Sequence, residues 1–235
     1  MNINKEPVAG LNNAGRDFAH KRYATVVMDP PWANQQRGKT GLGAERHYDL
    51  MTTERIAGLP IPDLLEEDAH VWIWCFVASR MDAQRVAEDA WGLTFRSELI
   101  WDKRKTGLGQ YLRNSHEHLL LFTRGKAPVL YRGQRTVADW PVQDHSHKPE
   151  EAMAMIQRVS PGPFLELFSR RRFPGFDHWG NEVPGGPDIH IPGYPVPEYS
   201  ARAYDPTPGD PLWPDGVIRG GGVFRHVLQV EEGKS

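Results

Sequence analysis

Asp29-Pro30-Pro31-Trp32 is the segment of this 235-residue chain whose residue types point most directly to chemistry. The Asp29 carboxylate can accept one N–H of an amine. The Pro30 carbonyl can accept a second, because neither proline brings a backbone donor that would compete. Two acceptors gripping an aromatic amine draw its delocalised lone pair out of the ring and make the nitrogen a nucleophile, which is what methylation of the 6-amino group of adenine requires. Trp32 offers an aromatic face on which a base could stack once it has left its helix. Read as structure alone, the same four residues are a turn after a strand, with Trp32 buried. Position favours the chemical reading. Tyr23 to Met28 (YATVVM) is a short apolar run stopped by the two prolines, so a strand delivers Asp29 to its carboxyl end, where open α/β sheets bind ligands.

The elements around it follow from periodicity and punctuation. Residues 1–22 read as a polar arm, and Ala33 to His47 as a Gly- and charge-rich loop. Thr52 or Thr53 caps a short helix, Asp63 to Asp68 reads as helical, and Ala69 to Val77 (AHVWIWCFV) has the unbroken apolarity of a strand buried on both faces, which implies parallel pairing. Ser79 to Trp91 has helical spacing and stops at Gly92. Strands are expected over Phe95 to Trp101, His118 to Thr123 and Phe164 to Phe168, with a helix from Lys148 to about Val159 between the last two. Asp102 to Asn114 is a second, basic loop, and Trp140 to His147 is irregular. Alternation of this kind predicts an α/β fold with a doubly wound, Rossmann-like, mostly parallel sheet over residues 23–183. Pro and Gly then dominate, so residues 184–235 read as a tail draped on the domain, with Val223 to Val230 as a further edge strand.

Composition sets the limits. Hydrophobic residues make up 39% of the chain, enough for a core, and the formal charge of -2 does not announce a polyanion partner. Affinity for phosphates must come from local clusters: Lys21 with Arg22, Lys103-Arg104-Lys105, and Arg170-Arg171-Arg172. Each is also readable as a solvated face. The single cysteine, Cys75, sits in the apolar run and is expected as a buried thiol, which suits a reducing, cytoplasmic setting. No apolar stretch is long enough for a membrane span. His145, His147 and His178 lie near Asp144 and Asp177, but their spacing matches no common zinc signature, so no metal is expected. His116 and His118 are expected to share one face of a strand.

Several segments together carry a family resemblance: VVMDPPW (Val26 to Trp32), HYDLMT (His47 to Thr52), Trp72 to Trp74, ELIWDK (Glu98 to Lys103), NSHEHLLLF (Asn114 to Phe122), SHKPEE (Ser146 to Glu151), IQRVSPG (Ile156 to Gly162), LELFSR (Leu165 to Arg170) and WGNEV (Trp179 to Val183). In these the chain resembles the MT-A70 family of adenine methyltransferases. The resemblance implies a circularly permuted methyltransferase fold, S-adenosylmethionine as cofactor, and adenine in a nucleic acid as substrate. It also implies that Lys148, Phe168, Arg170 and Asn181 line the cofactor pocket, with Asp29 between cofactor and base. The residue types suit those places. Lys148 can pair with the methionine carboxylate, Arg170 and Asn181 can meet ribose hydroxyls, and Glu166 and Glu182 can accept a ribose O–H. Tyr48 is expected at the wall of the base pocket, with Lys103, Arg104 and Lys105 as phosphate contacts. Arg171-Arg172-Phe173 stands where relatives often have proline and then histidine or asparagine, and these arginines could face phosphates instead.

Asp29 to Trp32 form the expected catalytic group, and Asp29→Ala or Trp32→Ala is expected to abolish methyl transfer with the fold retained. DNA is expected ahead of RNA, since no appended RNA-binding module is visible. A non-catalytic nucleic-acid-binding scaffold is the alternative, although Asp29, Trp32 and Lys148 are all retained here. A homodimer is the further partner considered.

Overall fold

The computed structural model describes residues 21–33, 50–107, 109, 111–143, 147–191 and 194. Seven strands form one mixed sheet in the order β5-β3-β4-β2-β1-β6-β7. β1 (Tyr23–Met28) is central and fully buried, flanked in parallel by β2 (Leu65–Cys75) and β6 (Phe164–Leu167). β7 (Phe176–Trp179) extends the sheet beside β6, also in parallel. On the other side β4 (His116–Arg124) runs antiparallel to both β2 and β3 (Thr94–Asp102), and the short β5 (Val137–Ala138) closes that edge.

Alternation along β1 decides the layers. Val26 and Met28 enter one core, with Ile73, Leu120, Leu165 and Leu167, whereas Val27 enters another with Trp72, Trp74, Leu119 and Trp101. The first is covered by α1 (Thr53–Ala57), α2 (Ile61–Leu64) and α3 (Arg80–Arg85), which widens into a π turn over Val86–Ala90. The second is covered by α4 (Glu150–Val159), whose Ala152, Met153, Met155, Ile156 and Val159 make one apolar stripe. Helices on both faces of a central parallel set give a Rossmann-like, doubly wound α/β architecture.

Several expectations hold to within a residue or two: β1, the Thr52 cap, which accepts the Arg55 N–H at 3.3 Å, α4, and the buried Cys75. His116 and His118 do share a face, with ring centroids 4.9 Å apart. Others are corrected. Asp63 to Asp68 is not a helix: α2 ends at Leu64 and β2 begins at Leu65, because Leu65 pairs with Tyr23 and the Asp68 side chain accepts the Lys126 N–H at 2.6 Å. Tertiary pairing outweighs the local preference of an acidic run. The unbroken apolarity of β2 reflects helices and cores on both faces, yet its pairing is parallel on one side only. β5 and β7 were not expected from the sequence, being short and, in β7, punctuated by Asp177 and His178. The arm 1–20, the loop 34–49 and the segment Val223 to Val230 lie outside the described residues.

The chain stays on the domain past Val183. Arg172 grips Asp188 through both carboxylate oxygens at 2.8 and 2.9 Å and also donates to the Pro184 and Gly186 carbonyls. Ile191 is buried, and the Tyr194 hydroxyl donates to the Arg55 carbonyl at 2.9 Å.

Trp32 belongs to the core rather than to an open face. It is 1% exposed and donates its indole N–H to the Trp74 carbonyl at 3.2 Å. The expectation that Trp32→Ala spares the fold is therefore replaced. Denaturant unfolding is expected to show Trp32→Ala destabilised by about 3–5 kcal/mol, as for other buried aromatics; a loss within experimental error would contradict the buried indole.

Candidate active site

The strand directions bring one set of side chains to one edge. Parallel pairing of β2, β1, β6 and β7 puts their carboxyl ends together, with Met28 opposite both Ile73 and Leu167, and Leu167 opposite Trp179. Asp29, Phe76, Phe168 and Gly180 follow directly from those ends. The antiparallel β4 begins where β2 ends, His118 opposite Cys75, and pairs its His116 with Asp102 at the end of β3. Glu117 and Lys103 are thereby delivered to the same edge. Lys148 arrives from the extended segment that leads into α4.

A buried charge cluster results. The Lys148 ammonium lies 2.8 Å from Asp29 Oδ2 and 3.0 Å from Glu117 Oε2. Glu117 also accepts from Lys103 and is nearly inaccessible, with 4% side-chain exposure. Burial alone would push the lysine down, but Asp29 and Glu117 hold its ammonium above the ordinary lysine range. Burial would likewise raise Glu117, and the charges of Lys148 and Lys103 more than offset it, keeping its carboxyl below the usual range. The half-buried Phe76 ring lies within 5.6 Å of the Lys148 ammonium and 5.7 Å of that of Lys103, so its face meets both cations.

The other half of the edge follows β6. Phe168 has a φ of 61°, a left-handed conformation that costs energy for a residue with a Cβ, and it turns the chain sharply out of the strand. The turn is held by the Ser169 N–H donating to the Trp179 carbonyl at 3.0 Å. Gly180 is needed there, because a Cβ would stand 2.2 Å from the Ser169 carbonyl oxygen. Glu166 accepts from the Ser169 hydroxyl at 2.8 Å. Burial, assisted by the nearby Asp29 charge and resisted by the Ser169 hydrogen bond, pushes its carboxyl up to about 7. Arg170 and Glu182 face each other at 3.7 Å, and burial raises the Glu182 carboxyl while Arg170 opposes the shift. Asn181, next to this pair, is partly exposed.

Several residues singled out in the sequence occupy other places. Lys103 is committed to Glu117 rather than to solvent, because the strand edge sets it beside a buried carboxylate. Arg104 is exposed but spans Asp102 at 3.2 Å and Asp139 at 3.0 Å, and Lys105 is exposed. Arg172 is spent on the strap at 184–188 and does not face solvent phosphates. His178 is buried, accepts the Phe173 N–H at 2.9 Å, and is held neutral by burial and by Arg172, with its value pushed down to about 4. Pro30 already accepts the Trp32 N–H at 2.9 Å, leaving its carbonyl one lone pair. Tyr48, Asp144, His145 and Ser146 lie outside the described residues. Glu117 and Phe76 were the residues missed. An acid flanked by histidines at the head of an apolar strand was the available signal for Glu117, while Phe76 was hidden in the apolar run of β2.

The mixed seven-stranded sheet, with its polar cluster at the carboxyl edge, has the Rossmann-like α/β fold of S-adenosylmethionine-dependent methyltransferases. The sequence profile of the MT-A70 family matches residues 23–182, and the chain belongs to that family. It is 27% identical to the type II methyltransferase M.MunI of Mycoplasma sp over 205 residues, covering 77% of this chain and 86% of that protein. It is 30% identical to the human N(6)-adenosine-methyltransferase catalytic subunit METTL3 over 211 residues, 84% of this chain and 32% of that one. Over 190 residues it is 27% identical to the mouse N(6)-adenine-specific methyltransferase METTL4, 69% of this chain and 38% of that protein. The chain thus spans about a third of the length of the two animal relatives. Members of the family use S-adenosylmethionine as methyl donor. Among the described residues no helix is long and apolar enough to cross a membrane.

Removing one member of the cluster should be costly. Glu117→Gln leaves the largely buried Lys148 and the partly exposed Lys103 with Asp29 as the one remaining carboxylate of the cluster, and is expected to lower stability by about 3–5 kcal/mol at neutral pH. A carboxyl held below its unfolded value contributes stability that is present above the unfolded pKa and lost as pH falls through the folded one. Urea titrations should therefore show the penalty constant from about pH 8 to 6 and shrinking below about pH 4; a penalty independent of pH throughout would contradict the charged pairing.

Proposed function

We propose that this chain transfers a methyl group from S-adenosylmethionine to the exocyclic N6 of adenine in DNA. The observation that carries the reading is Asp29 at the end of β1, tied at 2.8 Å to Lys148 and flanked by the β6 and β7 turns, in a member of the MT-A70 family. The relatives include enzymes named for N(6)-adenosine and N(6)-adenine methylation. DNA is placed first because the relative matched over most of its own length is the type II methyltransferase, whereas the adenosine methyltransferases extend far beyond the matched region.

The residues fit the cofactor. Lys148 has three N–H groups and spends two on carboxylates, so the third is available to the methionine carboxylate. Glu166 and Glu182 are acceptors and Arg170 and Asn181 donors for the ribose hydroxyls, grouped at the strained turn after Phe168. Asp29 provides negative charge where a sulfonium must sit. Bound S-adenosylmethionine supplies a methyl group already activated by its positive sulfur. The chain supplies alignment and polarisation: Asp29 accepts one N–H of the amine and the remaining lone pair of Pro30 the other, which orients the nitrogen for in-line attack. Pro31 fixes the backbone that presents both. With Trp32 in the core, Phe76 is the ring presented at this edge to a purine.

Incubation with tritiated cofactor and separate DNA and RNA pools, followed by digestion to nucleosides, tests the assignment. Label in N6-methyl-2′-deoxyadenosine supports it; label only in N6-methyladenosine reassigns the polymer to RNA, and no label with a folded protein favours a binding scaffold. Lys148→Ala is expected to raise the cofactor Kd about 10- to 100-fold, the value of one charge-assisted hydrogen bond; calorimetry with an unchanged Kd would remove Lys148 from the pocket. Since Glu166 ionises near pH 7, a cationic cofactor is expected to bind more tightly as pH rises from 6 to 8. That slope should disappear in Glu166→Gln, and its persistence there would assign it to another group.

A further inference from the structure

The loop between β3 and β4 rises from the same edge as Asp29 and Glu117, and its far end presents two large apolar side chains to solvent: Tyr111 at 94% and Leu112 at 83% exposure. They are the most exposed of the large hydrophobic residues among those described, and they are adjacent. Scattered single exposures need no explanation, but a neighbouring aromatic and aliphatic pair at the end of a site loop does. The base of the loop is fixed. Lys103 N–H donates to the Ser115 carbonyl at 2.8 Å and Gly107 N–H to the Asn114 carbonyl at 2.6 Å, while Arg104 is pinned to Asp102 and Asp139. Exposed Arg113 follows Leu112 directly, and exposed Lys105 lies on the opposite limb of the loop, between the two pairings at its base.

An apolar pair between basic residues beside a base pocket has the chemistry of a stacking wedge. Resting on the reading above, we infer that Tyr111 and Leu112 insert into a DNA duplex next to the target adenine and occupy the space it leaves on turning into the site. A base inside a duplex cannot reach Asp29. It must be unstacked and unpaired, and apolar side chains that fill the gap offset part of that cost. Tyr111 supplies a ring that stacks on the neighbouring base, Leu112 supplies bulk, and Lys105 with Arg113 meet the phosphates on either side. The partly buried Lys103 anchors the loop to Glu117, so the wedge is mounted on the charge cluster itself.

The test compares Tyr111→Ser and Leu112→Ser with the unmodified chain on randomised-sequence DNA duplexes and on the same pool as single strands, reading methyl incorporation. The wedge predicts kcat/KM on duplex reduced about 10- to 100-fold in the variants, with the single-strand rate changed less than about twofold, because a single strand has no partner to lose. Equal losses on both substrates would assign the residues to general binding or folding and overturn the wedge, as would a duplex rate that does not change. If the unmodified chain methylates neither pool, the methyltransferase assignment fails first and the wedge falls with it. Mapping the methylated positions in the duplex pool fixes a target site, and a 2-aminopurine reporter placed there gives a second readout. Its fluorescence should rise on binding the unmodified chain and not on binding the variants, and an equal rise in both would also contradict the inference.

Discussion

A lysine ammonium taken out of water is tolerated only where carboxylates replace its hydration, and the arrangement of this edge follows from that requirement. Lys148 draws Asp29 from β1 and Glu117 from β4 to within 3.0 Å, and Glu117 in turn engages Lys103 at the end of β3. Three strands and the lead-in to α4 are thereby tied at one point. Removing any member leaves an uncompensated charge beside the tryptophans of the second core, so the geometry of Asp29 is set by partners far away in sequence. The same pairings hold the Lys148 ammonium above the ordinary lysine range, as a cation that can face a carboxylate.

The mixed sheet is what allows this. A wholly parallel sheet would bring only strand ends and their following loops to this edge. The antiparallel β4 reverses direction and offers the start of a strand instead, which is how Glu117 reaches Lys148. On the other flank, the turn after β6 depends on a left-handed Phe168, on Gly180 for clearance, and on a strap fixed by Arg172 and Asp188. Strain at Phe168 is held by neighbours on both sides, as expected for a backbone shaped around a ligand.

Much of this was legible in the residues. β1 could be read from its apolar run and its two prolines, and α4 from its apolar stripe, because both signals are local. Asp29 was singled out by its chemistry at the end of a strand, Lys148 and the LELFSR segment through their resemblance to a family, and the structure brings them to one edge. What was not legible depended on pairing between distant segments. The start of β2 at Leu65 is decided by Tyr23, the burial of Trp32 by the Trp74 carbonyl, and the occupation of Lys103 by Glu117. Arg172 looked like a phosphate contact in a run of three arginines, and only the return of the chain at Asp188 shows it to be a clamp.

A crystal structure of the chain with S-adenosylmethionine bound tests the central claim most directly. The account predicts the methionine carboxylate against Lys148, the ribose beside the turn after Phe168, and the methyl group turned toward Asp29 with the Lys148 bridge to Glu117 intact. Cofactor bound at another edge of the sheet, or Lys148 turned away from Asp29 and Glu117 in the complex, would contradict it.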